Sequence, residues 1–347
     1  MGALLKLPRV WSENLNDENA PTLVTGATGF VGAAVARKLA ARGFNLRLMH
    51  RAGSDLSNLA GVQGERVIAD LTDQASLVQA VAGCRYVFHV AADYRLYVPD
   101  PEAMRRTNIE GTIALLNAAR QAGVTRVVYT SSVAALGFAT PGKPADETTP
   151  INPAEHVGAY KRSKYEAEQA VRALAADGLD VVIVNPAAPV GPGDIKPTPT
   201  GKMVLDAARG KMFAYIDTGM NIVHVDDVAE GHILALERGR SGESYILGSE
   251  NLSLREIAAL IASQSGHLPP RIKLPTGLLV PIAAMLEKLA ALTGHEPIMT
   301  REMLKMARRK MYYSSNKAIS QLGYAPRPAR EAIADALADF RRRGKLG

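Results

Sequence analysis

The chain is poorest in cysteine, tryptophan and aromatic residues: 347 residues contain one cysteine, one tryptophan and 5% aromatics. A lone Cys84 forms no internal disulfide, and no Cys/His cluster has metal-ligand spacing. A reducing, cytoplasmic compartment, an inert thiol and a metal-free mechanism are therefore expected. Long apolar runs are missing too. The most apolar late stretch, Leu278 to Leu292, is interrupted by Pro281, Glu287 and Lys288, so nothing reads as a bilayer span. Residues 1–20 lack the apolar core and small-residue cleavage site of a secretory signal. Lys6 stands where a myristoylation signal wants Ser or Thr, so this stretch reads as a loose extension. There is no internal repeat and no low-complexity segment.

Charge is unevenly placed. The formal net charge is +7, yet residues 301–347 hold twelve Lys/Arg against four Asp/Glu, an excess of eight, which leaves the remainder near neutral. The basic end, Arg341-Arg342-Arg343-Gly344-Lys345, reads first as a solvated helix face with a frayed terminus. Its alternative use is weak contact with an anionic membrane surface or a phosphorylated substrate. No basic patch interleaved with aromatics supports nucleic-acid binding.

What the chain does have is glycine in a telling place. The run Thr25-Gly26-Ala27-Thr28-Gly29-Phe30-Val31-Gly32 follows the apolar pair Leu23-Val24 and opens a helix-like stretch. Strand, glycine turn and helix in that order suit a dinucleotide pyrophosphate, because backbone N–H groups and a positive helix end point at the phosphates. Gly26 allows the tight turn, Gly29 lets backbone approach the ligand, and Gly32 lets helix pack on strand. The spacing G-x-x-G-x-x-G departs from the commoner G-x-G-x-x-G.

Strand-like runs then alternate with helical spacers. Asn45 to Met49, Arg66 to Ala69, Tyr86 to Val90, Arg126 to Tyr129 and Asp180 to Val184 are short apolar or β-branched runs. Helical patterns over Phe30–Arg42, Gln74–Ala82, Glu102–Ala122 and Tyr160–Ala176 separate them. This predicts an α/β fold, a doubly wound parallel Rossmann sheet with ligands at the carboxyl ends of the strands. From about Pro186 the texture becomes Pro/Gly-rich. The expected organisation is an extension over 1–20, a dinucleotide-binding domain over 21–190 and mainly a substrate lobe over 191–347, some segments of which return to the sheet.

Tyr160-Lys161-Arg162-Ser163-Lys164 puts a phenol and an ammonium four residues apart on one helical face. A phenol titrates near ~10, and moving it toward ~7 costs on the order of 4 kcal/mol. An adjacent lysine and a positive nicotinamide would supply that in a dry site, making Tyr160 a candidate general acid/base. A second Tyr-x-x-x-Lys, Tyr313 and Lys317, lies in the basic region beyond the predicted sheet, where packing is the expected role. The Tyr160 pair instead follows the strand ending Thr130-Ser131-Ser132, whose hydroxyls belong at the carboxyl edge. Asp227 and Glu230 match a capping box, which assigns Asp226-Asp227 to a helix start. His156, His224 and His232 are expected to be packed or exposed without a catalytic role.

The end of the second strand bears on the cofactor. A carboxylate there binds the ribose 2′-OH of NAD, whereas a cation accommodates the 2′-phosphate of NADP. His50 and Arg51 stand there, with Ser54 close by, which favours NADP over NAD and makes Arg51 the main phosphate ligand.

Taken in order, these residues resemble the extended short-chain dehydrogenase/reductases, from about Pro21 to Pro328. The resemblance rests on the 25–32 turn, Asp70-Leu71, His89-Val90-Ala91-Ala92, Asn108 to Thr112, Thr130-Ser131-Ser132, Tyr160 to Lys164, Asn185-Pro186, Gly191 to Asp194 and His224 to Ala229. Finer stretches at 91–101, 193–201 and 224–239 look like bacterial hopanoid-associated sugar epimerases, relatives of dihydroflavonol-4-reductases. The resemblance implies that Ser132 hydrogen-bonds the substrate oxygen, Tyr160 shuttles its proton, and Lys164 holds the nicotinamide ribose and lowers the phenol's pKa. It implies further that Asp70 and Leu71 flank the adenine, that Val90, Ala91 and Ala92 line the cofactor, and that Asn185, Pro186 and Ala188 lie by the nicotinamide. Asp93, Tyr94 and Arg95 become substrate-contact candidates, and a homodimer through helices beside that of Tyr160 is implied.

The expected function is nicotinamide-dependent hydride transfer at a secondary alcohol or ketone, first as a hopanoid-associated sugar epimerase, with a dihydroflavonol-4-reductase-like ketone reductase and a non-catalytic cofactor sensor as the alternatives. Epimerisation of a sugar keeps its cofactor through each turnover; NADPH-dependent ketone reduction exchanges it; a cofactor-sensing binding protein needs neither Ser132 nor Tyr160 nor Lys164. The substrate is a small-molecule alcohol, ketone or sugar, which Leu96, Tyr97, Phe138, Met203 and Phe213 would accommodate.

Overall fold

A computed structural model describes residues 19–94, 100–140, 143–152, 158–293 and 299–346. Seven parallel strands form the central sheet: β1 (Thr22–Thr25), β2 (Leu46–His50), β3 (Glu65–Ile68), β4 (Tyr86–His89), β5 (Arg126–Thr130), β6 (Val181–Pro186) and β10 (Ser244–Leu247). Their order is β10-β6-β5-β4-β1-β2-β3, so the chain reverses direction across the sheet between β1 and β4. That switch point opens the crevice in which a doubly wound sheet binds ligands.

Period-two alternation decides what lies above and below. Val24, Phe88, Val128 and Val182 face one core, with α1 (Phe30–Ala41), α7 (Val225–Arg238) and α11 (Asn316–Leu322). Their neighbours Leu23, Val87, Val127 and Val181 face the other, with α2 (Gln74–Val81), α4 (Gly111–Gln121) and α5 (Ala159–Ala176). Both faces are covered, which is why these strands read as nearly unbroken apolar runs.

The helix predicted over Glu102–Ala122 is not continuous. It divides into α3 (Pro101–Arg105), a π-helical turn over Arg106–Glu110, and α4. Such turns insert an extra residue into the ladder and recur at functional sites. Asn108 sits in this one.

Of residues 191–347, expected to form mainly a lobe, α7, β10 and α11 belong to the sheet layers. β10 pairs with β6 from Ser244↔Ile183 to Leu247↔Pro186, and α7 is tied to α1 through Glu230, which accepts from Arg42 Nη2 at 2.5 Å. The remainder is a separate core of β7 (Ala188–Val190), α6 (Pro199–Ala208), β9 (Gly219–His224), β11 (Glu250–Ser253), α8 (Leu254–Ser265) and α12 (Ala329–Arg342). A two-stranded ribbon, β8 (Ala214–Tyr215) with β12 (Ile272–Lys273), leads into α9 (Thr276–Thr293) and α10 (Arg301–Ala307).

The basic end is not frayed. Phe340 and Leu346 are buried, Arg342 and Arg343 pair with Asp339, and Lys345 donates to the Ile195 carbonyl. α12 carries its apolar stripe into the lobe core, which holds the charged end down.

Candidate active site

Gly26 closes β1 with φ +64°, and a Cβ there would lie 2.8 Å from the Ala91 Cα beyond β4. Only a residue without a side chain brings the two strand ends that close. At Gly32 a Cβ would collide with the Gly26 carbonyl, so the first turn of α1 is pressed onto the glycine loop. Gly29 is the N-cap and offers no side chain; no acid occupies the first turn. The N–H groups at the start of α1, from Phe30 and Val31 onward, are thus left for an anion, as a pyrophosphate requires. Asn58 fixes the loop by donating from Nδ2 to the carbonyls of Thr28 (3.1 Å) and Gly193 (3.0 Å).

At the carboxyl end of β5, Ser132 caps a short 3-10 turn, its Oγ accepting from Ala134 N at 3.1 Å. Its side chain also shares a hydrogen bond with the Tyr160 phenol. Lys164 lies one turn further along α5, buried, donating from Nζ to the Thr130 carbonyl at 2.9 Å and to Tyr129 Oη at 3.4 Å. An ammonium has three donors, and the remaining one has no partner among the described residues. Burial lowers the Lys164 pKa to about 8, opposed by the charge of Glu168.

The expectation for the phenol is corrected here. Burial raises the Tyr160 pKa above its ordinary value, and the Ser132 hydrogen bond only partly offsets it. The lysine does not by itself make this phenol acidic.

Glu168, one turn beyond Lys164 and fully buried, was not anticipated. Its Oε2 accepts from Ser131 Oγ (2.6 Å) and Asn185 Nδ2 (2.7 Å), and its Oε1 from Arg172 Nη2 (2.7 Å). The signal was present as Tyr160, Lys164, Glu168 and Arg172, each four residues apart on one helix face. Asn185 Nδ2 also donates to the Ser132 carbonyl at 3.1 Å. Both acceptors fix the amide orientation, so the partnerless buried atom is Oδ1. An orphaned acceptor in a dry site is what a ligand's donor satisfies.

A second network runs behind the crevice. Thr25 Oγ1 accepts from Val90 N (3.1 Å) and Ala91 N (3.0 Å), so its own proton goes to His89 Nδ1 at 2.9 Å. His89 Nε2–H then donates to Thr112 Oγ1 at 2.9 Å, and Thr112 donates to the Asn108 carbonyl at 2.7 Å. Asn108 grips the Asp93 backbone from both sides, accepting from its N–H (2.7 Å) and donating to its carbonyl (2.8 Å), and reaches Ser163 Oγ at 3.0 Å. The π turn thus ties the Ala92–Asp93 segment to the helix bearing Tyr160. Asn108 was visible in the sequence only as a motif without a role.

At the far side of the sheet, Arg51 is exposed after β2, and the Arg51 carbonyl accepts from Ser54 N at 3.1 Å in a tight turn and sits 3.1 Å from His50 Nδ1. No acid ends β2. Asp55 is next, and its carboxylate is taken by Ser57 N at 2.9 Å. Asp70 lies near enough for the Arg51 charge to help hold its carboxyl below the usual range, after the larger effect of its Thr72 hydrogen bonds. Leu71 is buried, and Pro186 and Ala188 follow Asn185 at the end of β6 and the start of β7.

Other expectations divide. Tyr94 is exposed, while Arg95, Leu96, Tyr97 and His156 lie outside the described residues. Phe138 is flanked by Lys161 Nζ at 4.6 Å and Arg309 at 5.2 Å from its ring centre. Met203 packs on the lobe core, and Phe213 is 76% exposed. Tyr313 packs, but inside rather than beyond the sheet region, donating to the Val133 carbonyl at 3.1 Å. Asp227 and Glu230 form no capping box: α7 begins three residues earlier with His224 as N-cap, and Asp227 is held by Arg327 at 2.8 Å. His232 is buried against Thr130 at 2.8 Å. Burial pushes the Cys84 thiol up to about 11.

Residues 22–248 match the model of the NAD dependent epimerase/dehydratase family. The chain belongs to this family, the extended short-chain dehydrogenase/reductases, and is an NAD(P)-dependent oxidoreductase or sugar epimerase. It is 43% identical over 92% of its length to "Putative dihydroflavonol 4-reductase" of Synechocystis, covering 94% of that protein. It is 36% identical to "Sterol demethylase protein B" of Methylococcus capsulatus, over 94% of this chain and 99% of the relative. The crystal structure of gox2253 superposes with a TM-score of 0.86 at 55% identity, covering 95% of this chain and 100% of that one.

Proposed function

We propose that the protein reduces a ring ketone of a largely apolar molecule to the secondary alcohol, and in reverse oxidises that alcohol, with NADP as its cofactor. The observation that carries this is Tyr160, half-buried, hydrogen-bonded to Ser132 and followed one turn later by a buried Lys164. Ser132 would hold the carbonyl oxygen and Tyr160 would give it a proton as the carbonyl becomes an alcohol. Lys164 would bind a ribose hydroxyl with its remaining N–H. A bound reduced nicotinamide would supply the hydride to the carbonyl carbon. Once oxidised, its positive charge would lower the phenol's pKa toward neutral pH. Gly26, Thr28, Gly29 and Gly32 with the start of α1 would hold the pyrophosphate. Asp70 and Leu71 would flank the adenine, and Arg51 with His50 and Ser54 would hold the 2′-phosphate.

The ring-ketone assignment is supported by the names of the two relatives, a flavonoid-type reductase and a sterol demethylation component. Sugar epimerisation, after which the family is named, uses the same trio. The two differ in cofactor exchange. Purified protein that is empty of nicotinamide and oxidises added NADPH with a ring ketone in a substrate panel supports reduction. Protein carrying a stoichiometric, non-exchanging nicotinamide and turning over no ketone overturns it in favour of epimerisation. A homodimer through the α4 and α5 side belongs to the same reading, and light scattering tests it.

A further inference from the structure

Helix α9 exposes large apolar side chains in a row. Leu278 is 68% exposed, Ile282 45%, Met285 63% and Leu289 54%. Spacings of four, three and four residues place them within an arc of about 60° along roughly 17 Å of helix. The opposite face carries Ala283 and Ala290, both buried, so the stripe is the side the protein leaves uncovered. Ile272 of β12, just before the helix, is 58% exposed. A continuous exposed apolar stripe of this kind marks a contact surface.

Charge decides the partner. Over 268–293 and 299–310 there are eight Lys/Arg against two Asp/Glu. Both acids are engaged: Glu287 accepts from Arg301 N and Nε at 2.7 Å, and Glu302 stands against Gly158 at the start of α5 and attracts Lys161. Lys273 and Lys310 share Asp217, whereas Arg271, Lys288, Lys305 and Arg308 have no acidic partner among the described residues. A second copy laid on the same stripe would bring a further set of unpaired cations and add like charge. An anionic lipid surface complements both the apolar row and the unpaired cations of the same segment. Among the described residues no helix is long and apolar enough to cross a membrane, so α9 lies on the surface rather than through it.

We propose that the exposed face of α9, together with the unpaired cations of the α9–α10 segment, Lys288 and Arg308 among them, docks the protein on an anionic lipid surface. The docking does not depend on which carbonyl is reduced. It relocates membrane contact from the C-terminal cations, which are partly held by Asp339 and Ile195, to the α9–α10 segment.

Co-sedimentation of the full-length protein with vesicles tests this. Binding is expected to phosphatidylcholine vesicles containing phosphatidylglycerol, to weaken with salt, and to be slight with phosphatidylcholine alone. Met285→Glu with Leu289→Glu is expected to abolish it. Each of Lys288→Gln and Arg308→Gln is expected to cost about fivefold, the equivalent of ~1 kcal/mol per cation near the surface. NADPH binding and melting temperature should be unchanged in all of them. As an independent readout, a bimane dye on Met285→Cys should shift to shorter wavelength on anionic vesicles; Cys84 is buried and will not compete. No pelleting with anionic vesicles at low salt, or wild-type pelleting by the double glutamate variant, overturns the proposal. So does a wild-type dimer that the double variant splits into monomers, since a second copy would then cover the stripe.

Discussion

The Glu168 carboxylate and the Asn185 side-chain amide meet at 2.7 Å, joining the Tyr160 helix to the end of β6. All of this carboxylate's hydrogen-bond partners are donors: Asn185 Nδ2, Ser131 Oγ and Arg172. A glutamine must turn its own donor group toward one of them. Glu168→Gln is therefore expected to cost about 2–3 kcal/mol, read as a fall in melting temperature on the order of 5 °C. A kinetic signature separates this from simple loosening. Glu168 raises the Lys164 pKa against the burial that lowers it, so the variant's Lys164 titrates below about 8. The alkaline limb of the kcat/KM profile should move to lower pH. An unmoved limb would show that Glu168 has no hold on the lysine.

Tyr160→Phe removes the proton donor and leaves the ring. Turnover on a ketone substrate should drop by about 10²–10⁴-fold, the usual weight of a positioned acid. NADPH affinity, measured by fluorescence titration, should stay within a few-fold. Ser132→Ala should also cut kcat, and the double variant should lose far less than the product of the two effects, because the groups act as one hydrogen-bonded unit.

Much of this site was legible before any coordinates. β-branched runs bounded by glycine gave six of the seven central strands, because fully buried parallel strands write their burial into every position. β10 escaped notice because Ser244–Leu247 reaches β6 only after the excursion through β7, α6 and β9, outside the regular strand–helix alternation. The break at 106–110 escaped because helical periodicity survives one inserted residue, and only the grip of Asn108 on Asp93 shows what the turn is for. Asp227 and Glu230 had capping-box spacing, but capping depends on where the helix starts, and His224 starts it earlier. Tyr160 and Lys164 were found from spacing; the direction of the phenol's shift was not, since burial is a property of the packed site.

Arg51 replaces the carboxylate that would otherwise bind a ribose 2′-OH, and the nearest following acid, Asp55, is occupied by Ser57. NADPH should bind more tightly than NADH. Arg51→Ala should erase about 10- to 100-fold of that preference, the worth of a charge-assisted phosphate contact, while NADH affinity barely changes. A wild type that prefers NADH sinks the assignment.

His89 and His232 are fully buried imidazoles, which makes the fold sensitive to acid. His232 donates from Nδ1 to the Val228 carbonyl at 2.7 Å and accepts at Nε2 from Thr130, and His89 is fixed as its Nε2–H tautomer, so both are held neutral. Burial pushes their pKa values down to about 3 for His89 and about 4 for His232. The unfolded chain takes up these protons below about 6.5 while the native chain refuses them, so stability is full above that pH and falls as pH drops toward the folded values. Each histidine contributes a loss on the order of 3–5 kcal/mol across that window. Urea midpoints should decline steadily between about pH 6.5 and pH 4, and His232→Gln, although less stable at neutral pH, should show a shallower decline. Equal slopes in wild type and variant over that range would mean that other groups, not this imidazole, carry the acid sensitivity.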